Sequence, residues 1–376
     1  FEPRTQYRYS NSNFVLLAEI AEKVSGLSLN DFLQARVFRP LGMESTVIRD
    51  RYWQRIDNRA VSFHDNGSAY FHHVLNYGSY GSTSLHTTAH DFLRWMDTFS
   101  NPTVCKPETI GEMFVVPKLK GDAQTSYAGG LMLGDLGGHR YIEHGGADAS
   151  FRSVNMHFPE DELDIVILAN TAILHPGTAA RAIARILLGL DAPAEPDGFC
   201  DDAFRPEDAP GTYYAIQPDG SMIVEQVYEK DGTLYLTDLY EDAPLTHVAG
   251  NEYRAGHSPM RLFLGKHAGF VLNGGRVALT RHDTEPENDE CLLAYEGRYE
   301  SEEVETAYTV YAENGALFID HFRNGRQRLL RLSRDCYLAP YLGTLTVRFT
   351  RGSGDRVIGL SCTSGRVLGL NFSKAE

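Results

Sequence analysis

Two short groups of residues carry side chains that can move protons. Tyr9 and Asn11 flank a serine just before an apolar segment, and His144 is followed directly by Gly145 and Gly146. A tyrosine has an ordinary pKa of about 10, so its phenolate can act as a base at neutral pH only beside a positive charge. Each group also has a plain structural interpretation: a half-buried tyrosine in the first case and a turn in the second.

Helices must position the first group. Residues 14–24 have apolar side chains at helical spacing, and Gly26 ends that pattern. Ser28 is a typical N-cap for a second helix, which we predict to end near Pro40. A third helix is predicted over about 88–99.

Strands must position the second group. Residues 139–142, 151–158 and 163–169 have the composition of strands, with the His-Gly-Gly sequence between the first two. Residues 159–162 form a turn that joins the last two strands as a hairpin. A helix over about 178–189 closes an α/β (α+β) domain that ends near residue 190.

The rest of the chain has a different character. Residues 191–210 are rich in proline and acidic residues, which predicts a linker in the form of an extended spacer. From residue 211 onward, short apolar strands recur about every ten residues between Gly, Asn or Asp turns. This spacing predicts two small antiparallel β-barrels or sandwiches, at 211–285 and 290–376. The two sets share a β pattern, and we infer no sequence repeat.

Composition limits the partners. The net charge of −15 and the pI of about 5.4 argue against binding to nucleic acid or to anionic lipid. No apolar run is long enough to cross a membrane. The five cysteines are scattered without a CxxC pair, which favours a reducing compartment such as the cytoplasm. Adjacent His72 and His73 point apart on an extended chain, so neither a metal nor another cofactor is predicted. The sequence is compatible with a homodimer.

Further motifs occur in a fixed order along residues 1 to about 190. They are Phe1-Glu2-Pro3-Arg4, Val24-Ser25-Gly26, Pro40-Leu41-Gly42-Met43 before Thr46, and Gly81-Ser82-Thr83-Ser84 before Asp91 and Trp95. With the two groups above, this series resembles the penicillin-recognising serine hydrolases: class C β-lactamases, DD-peptidases, esterases and D-aminopeptidases. His144 to Ala147 and two appended β domains are most similar to the D-aminopeptidases. The resemblance implies a β-lactamase-like domain, here incomplete, followed by two lipocalin-like β-barrels.

The resemblance also implies a mechanism. A serine attacks a carbonyl carbon to form an acyl-enzyme, and a lysine one turn after that serine shares the base function with Tyr9. His144 takes the place of the lysine in the Lys-Thr-Gly triad of β-lactamases and would help to supply the positive field that Tyr9 needs. Asn11 would hydrogen-bond the catalytic lysine and a substrate amide.

Substrate contacts follow from the same resemblance. Gly145 and Gly146 would let a substrate lie against the strand edge, and the backbone N–H of Ala147 would be one oxyanion donor. Asp148 has two interpretations. It would bind a substrate ammonium group in an aminopeptidase, or it would accept backbone N–H bonds as a turn residue.

One element of the mechanism is absent. None of the 376 residues belongs to a Ser-x-x-Lys motif, and the related Thr103-x-x-Lys106 lies between prolines. We therefore expect the nucleophile in a segment that precedes Phe1. The predicted function is a serine hydrolase that releases a D-residue from a peptide or amide. Alternatives are an esterase, a DD-carboxypeptidase, a β-lactamase or a peptide-cyclising thioesterase on the same scaffold, and a non-catalytic binding protein that has lost the nucleophile.

The final β domain bears on substrate size. In D-aminopeptidases a loop of this domain reaches the catalytic site, and the matching residues 335–344 leave few positions between strands. A shortened loop predicts a site open to N-blocked substrates. Residues 250–259 of the first β domain are the alternative filling for that space.

Overall fold

The structure is a computed structural model, and the chain forms two compact units, Phe1–Pro193 and Ala194–Glu376. Described here are residues 2–51, 53–65, 69–74, 78–121, 124–191, 198–217, 222–237, 242–256, 258, 260–272, 275–282, 289–323, 325–339, 345–365 and 367–375. The prediction about loop 335–344 depends on residues 340–344, and the alternative on 250–259 includes residues 257 and 259. These lie outside the described residues.

The first unit combines helices with a four-stranded antiparallel sheet. Its helices are α1 (Asn11–Ser25), α2 (Leu29–Leu33), continued by a π-helical turn (Gln34–Phe38), α3 (Ala89–Asp97), α4 (Pro107–Met113) and α5 (Pro176–Leu187). Its strands are β1 (Val47–Ile48), β2 (Phe63–Asp65), β3 (Tyr70–His72), β4 (Leu85–His86), β5 (Met132–Leu136), β6 (His139–Asp148), β7 (Phe151–Phe158) and β8 (Leu163–Ala169). Among the described residues, no helix is long and apolar enough to span a bilayer.

Local sequence explains where these helices begin and end. α1 ends at Gly26, which has a φ of 71° and donates its N–H to the carbonyl of Glu22. The Ser28 side chain accepts a hydrogen bond from the Asp31 N–H at 3.0 Å, which confirms the predicted N-cap of α2. At the start of α3 the Thr88 hydroxyl accepts the corresponding bond from the Asp91 N–H.

The sheet has the strand order β5-β6-β7-β8, and its hairpins follow the chain. The predicted hairpin at 159–162 is confirmed: Phe158 pairs with Leu163 across it, and Glu162 has a φ of 51°. α5 packs on this sheet through Ala180 and Ala184. Both alanines are fully buried, and they let the helix approach β7 and β8 closely.

The predicted position of the His-Gly-Gly sequence between two strands is wrong. β6 runs on to Asp148, and His144, Gly145 and Gly146 pair with Asn155, Val154 and Ser153 of β7. Two glycines carry no hydrophobic pattern, so periodicity ended the strand too early. Pairing with β7 extends β6 regardless of that weak local signal.

The second unit contains two closed eight-stranded antiparallel barrels within the described part of the chain, which confirms the predicted fold class. The first consists of β9 (Gly211–Ile216), β10 (Met222–Lys230), β11 (Thr233–Leu236), β12 (Ala243–Ala249), β13 (Glu252–Ala255), β14 (Arg261–Phe263), β15 (Ala268–Leu272) and β16 (Gly275–Arg281). The short helix α6 (Asp289–Leu292) precedes the second, which consists of β17 (Gly297–Ser301), β18 (Thr306–Glu313), β19 (Ala316–His321), β20 (Gly325–Ser333), β21 (Cys336–Ala339), β22 (Leu345–Arg351), β23 (Val357–Ser364) and β24 (Val367–Lys374). The exact domain boundaries stay predictions.

The two barrels share a tyrosine hydrogen bond that the sequence patterns did not predict. The Tyr213 hydroxyl donates to the carbonyl of Ala209, four residues earlier, and the Tyr299 hydroxyl donates to the carbonyl of Tyr295 in the same way. Both phenols are fully buried, and a short 3-10 helix precedes each first strand. In each barrel a buried tyrosine of the first strand therefore holds the turn that precedes this strand.

The described part of the predicted linker, residues 198–210, packs on the first barrel, which the prediction of an extended spacer did not include. Phe199 contacts Phe263 of the first barrel at a ring-centroid distance of 5.9 Å, and Phe204 contacts Tyr253 at 6.2 Å. Proline and acidic content dominated the prediction. The two phenylalanines supply apolar surface that is more stable against the barrel than in water.

Candidate active site

Tyr9 is held at the start of α1. It directly precedes Ser10, the N-cap residue, and α1 packs against Gly81. A Cβ atom at Gly81 would lie 2.6 Å from the carbonyl oxygen of Phe14 and 2.7 Å from the Cβ of Ala18. Only glycine permits this approach, and its φ of 90° also favours glycine. Gly81, the first residue of the Gly-Ser-Thr-Ser motif, therefore sets the position of the helix that Tyr9 precedes.

His144 is held by the sheet. It is half-buried in β6, and the Asn155 side chain donates a hydrogen bond from Nδ2 to its carbonyl at 3.0 Å. This bond comes from the residue that faces His144 on β7. The backbone of His144 is thus fixed by both the strand ladder and a side chain.

Tyr127 connects the two groups, and sequence reasoning missed it. Its ring centroid lies 5.8 Å from that of Tyr9 and 6.1 Å from that of His144, while Tyr9 and His144 are 6.0 Å apart. The Tyr127 hydroxyl is 3.5 Å from Nε2 of His144. Tyr127 lies outside the regular elements, where periodicity has nothing to detect, and an isolated β-bridge pairs it with Met132 of β5.

Burial sets the protonation of Tyr127. Desolvation raises its pKa to about 12, with a further contribution from the neighbouring phenols of Tyr9 and Tyr7. Tyr127 is therefore a neutral phenol at physiological pH, able to donate to or accept from His144. Tyr127 therefore does not act as a base at this pH, and the role of Tyr9 stays a prediction.

The other predicted residues occupy defined places around this cluster. Asn11 is exposed in the first turn of α1. Gly145, Gly146 and Ala147 are exposed on β6 beyond Glu143, where the pairing with β5 ends. Among the described strands, this stretch has a neighbour on the β7 side and an open edge on the other. An extended peptide backbone can pair with such an edge.

Asp148 ends β6 at a tight hairpin, in which it pairs with Phe151. Burial lowers the pKa of His86, the positive charges of Arg59 and Arg49 lower it further, and Asp148 acts in the opposite direction. The Asp148 carboxylate is thus close enough to His86 to favour the protonated form of that histidine. The pairing with Phe151 gives Asp148 a structural place at the hairpin, and its binding of a substrate ammonium group stays a prediction.

A cleft of about 340 Å³ adjoins Tyr9. Tyr127, Phe14 and Leu119 supply ring and apolar surface, while Arg4 and Arg8 add positive charge. Arg4 has a φ of 69°, in the left-handed region that favours glycine. A backbone conformation that is unfavourable for arginine thus places a cation in the wall of the cleft.

Asp91 ties the remaining motifs together. Its carboxylate is buried and accepts hydrogen bonds from the Ser45 N–H and the Thr46 hydroxyl, both at 2.8 Å. Arg94 pairs with the same carboxylate at 2.9 Å. The Thr46 and Asp91 motif positions therefore hold the loop before β1 to α3 and take no part in the cluster of Tyr9, Tyr127 and His144.

Comparison with known proteins places this arrangement in a family. The family model described as Beta-lactamase matches residues 1–190, which is half of the chain. The chain belongs to the beta-lactamase family. Tyr9, Tyr127 and His144 all lie inside the matched beta-lactamase region, whereas both barrels lie outside it.

Two curated members are similar over most of the chain. The D-aminopeptidase of Gluconobacter oxydans (strain 621H) is 26% identical over 90% of this chain and 65% of its own length. The D-aminopeptidase of Brucella canis (strain ATCC 23365 / NCTC 10854 / RM-666) is 24% identical over 100% of this chain and 72% of its own length. The chain thus spans less than two thirds of the Gluconobacter protein. A solved structure of the octameric penicillin-binding protein homologue from Pyrococcus abyssi has 17% identity and a TM-score of 0.48, over 87% of this chain and 66% of its own.

Proposed function

We propose that this chain is the larger part of a serine acyl-transfer hydrolase that releases a D-residue from the N-terminus of a peptide or amide. The observation that carries the proposal is the meeting of Tyr9 and His144 around Tyr127, beside the open edge of β6. The names of the Gluconobacter and Brucella relatives support the D-residue and the aminopeptidase character.

The described geometry suits two steps of acyl transfer. A substrate that pairs with Gly145–Ala147 would place its carbonyl at the strand edge, where a backbone N–H can stabilise the developing oxyanion. Tyr9 would take the proton of the attacking hydroxyl as its phenolate and return it to the leaving amine. A protonated His144 would stabilise that phenolate, since opposite charges at this range favour ionisation.

The nucleophile is the part that this chain does not supply, because its sequence has no Ser-x-x-Lys motif. We infer that a segment N-terminal to Phe1 carries it in the complete protein. Such a segment would bring the serine and its lysine to Tyr9 and Asn11, as the family resemblance implies.

The test is a substrate panel with the complete encoded protein. We expect hydrolysis of D-alanine p-nitroanilide, with L-alanine p-nitroanilide cleaved far more slowly and nitrocefin left intact. Faster turnover of p-nitrophenyl butyrate or of nitrocefin would favour an esterase or a β-lactamase instead. Failure to hydrolyse any of these substrates, together with an encoded sequence without Ser-x-x-Lys, would leave the non-catalytic binding protein.

A further inference from the structure

A serine, a histidine and an aspartate meet at the end of α3, outside the cluster described above. Ser100 follows α3, His157 is in β7 and Asp164 is in β8. The Ser100 Oγ is 3.5 Å from Nε2 of His157, and Nδ1 of the same ring is 2.7 Å from the Asp164 carboxylate. The three side chains therefore contact one another in the order that activates a serine hydroxyl as a nucleophile.

The sheet and α3 hold the histidine ring in place. His157 pairs with Asp164 across β7 and β8, so the two side chains lie on the same face of the sheet. The His157 side chain is only 4% exposed, and its ring packs edge-on against Phe99 at a centroid distance of 5.5 Å. This confinement keeps Nδ1 directed at Asp164 and Nε2 directed at Ser100.

The carboxylate determines which nitrogen of the ring carries the proton. An ionised carboxylate only accepts hydrogen bonds, so Nδ1 of His157 donates its N–H to Asp164. In the neutral ring Nε2 is then unprotonated and accepts the hydroxyl proton of Ser100. Asp164 is therefore a positioning residue, His157 is placed as a base, and Ser100 is placed as a nucleophile.

Solvent reaches the serine and the histidine to different extents. Ser100 is exposed, whereas His157 is buried beneath it. A small reagent can therefore approach the serine, while a water molecule has little access to Nε2. The backbone N–H groups of Ser100 and Asn101 both donate to the carbonyl of Asp97, so they are engaged and do not form an oxyanion site. Only an activated acyl group would react here, and the product would hydrolyse slowly.

We propose that Ser100 is an acylation site for activated esters. The Ser100 Oγ attacks the acyl carbon, and its proton passes to Nε2 of His157. The bond from the acyl carbon to the leaving oxygen then breaks, and the alcohol departs with the proton from His157. One ester gives one acyl-serine and one alcohol, so atoms and charge balance without an oxidant or a further reactant. This inference does not depend on the proposed hydrolase activity, whose nucleophile we place outside this chain.

Peptide mass spectrometry of the complete protein after incubation with p-nitrophenyl acetate tests the site. We expect an acetyl group on Ser100 that forms about 10²-fold faster than on Ser373, since a positioned base contributes at least this factor. Ser373 is an exposed serine of the second barrel and serves as the internal control. The acetyl group should persist after the reagent is removed. Ser100→Ala should lose this acetyl group while the melting temperature barely changes.

Two substitutions of Asp164 separate activation of the serine from a structural role. Asp164→Asn keeps the size of the side chain but removes the carboxylate that fixes the histidine proton, so acetylation of Ser100 should slow about tenfold or more. Asp164→Glu restores a carboxylate and should recover part of the rate, which a purely structural contact would not explain.

Tyr9→Phe separates this site from the proposed hydrolase site. It should lower hydrolase activity and leave the acetylation rate of Ser100 normal, whereas loss of the acetyl group there would assign the reaction to transfer from the hydrolase site. That result, no acetyl group on Ser100, equal rates at Ser100 and Ser373, or an unchanged rate in Asp164→Asn would overturn the proposal.

Discussion

The hydroxyl of Tyr127 lies 3.5 Å from Nε2 of His144. Through this contact an irregular segment before β5 touches the strand that carries the His-Gly-Gly motif, and the ring of Tyr127 also meets Tyr9. Three aromatic side chains from three separate segments of the chain thus lie together. The catalytic proposal rests on this meeting, and the first three predictions test its members one at a time.

Tyr9→Phe removes the proposed base but keeps the ring that packs on Tyr127. In the complete protein we expect kcat on D-alanine p-nitroanilide to fall by about 10²–10⁴, the range for lost acid–base catalysis. The melting temperature should barely move, because the ring contacts remain. Tyr311→Phe in the second barrel is the matched control, and full activity of Tyr9→Phe would contradict the assignment.

His144→Ala removes the proposed positive charge beside Tyr9. We expect a loss of kcat/KM similar to that of Tyr9→Phe, and partial recovery in His144→Lys, because a lysine restores a cation at the same strand position. The pH–rate profiles of the three proteins provide the check. If His144→Lys is as inactive as His144→Ala while both fold normally, a role for charge at this position is wrong.

Tyr127→Phe keeps the ring and removes the hydroxyl next to His144. Burial raises the pKa of Tyr127 to about 12, so the folded protein holds this proton more tightly than the unfolded chain, whose tyrosines titrate near 10. This phenol therefore stabilises the fold below about pH 10, and its contribution is lost as the pH rises toward 12.

Two measurements on Tyr127→Phe follow. In a tyrosinate absorbance titration of the folded protein, the variant should lack a component at the high-pH end. In kinetic assays, the pH dependence of kcat should change more than KM does. A variant that instead loses a component near pH 10 would mean that Tyr127 ionises like an exposed tyrosine.

Gly81→Ala tests the position of α1. Its Cβ would lie 2.6 Å from the Phe14 carbonyl oxygen, and the φ of 90° adds backbone strain. We expect a loss of about 2–4 kcal/mol of unfolding free energy, the sum of overpacking and strain. Gly26→Ala has a similar φ of 71° but open space around its Cβ, so it should lose only about 1 kcal/mol. Equal losses in thermal or denaturant unfolding would refute the packing argument.

Arg4→Asn tests the charge in the wall of the Tyr9 cleft. Asparagine tolerates the φ of 69° found at this position, so the backbone should not change. We expect kcat/KM for a D-alanyl dipeptide with a free carboxylate to fall by about three- to tenfold, and kcat/KM for D-alaninamide to stay constant. An equal loss for both substrates would show that Arg4 does not recognise the carboxylate.

Much of the fold was determined by the sequence alone. Period-3.6 patterns, the Ser28 cap and the Gly26 stop located α1 and α2, and apolar strands with regular turns predicted both barrels. These signals are local, since caps, turns and hydrophobic faces act within a few residues of the chain. The ordered motifs also led to the family and to Tyr9 and His144 as candidates.

Only the tertiary structure decided the rest. It extended β6 through the His-Gly-Gly motif, packed Phe199 and Phe204 on the first barrel, and brought Tyr127 between Tyr9 and His144. In each case the stabilising partner is distant in sequence: a neighbouring strand, a barrel wall or a second aromatic ring. Such contacts form only when the chain folds. The free energy of burial and of strand pairing depends on the partner residue, and this partner leaves no pattern in the neighbouring sequence.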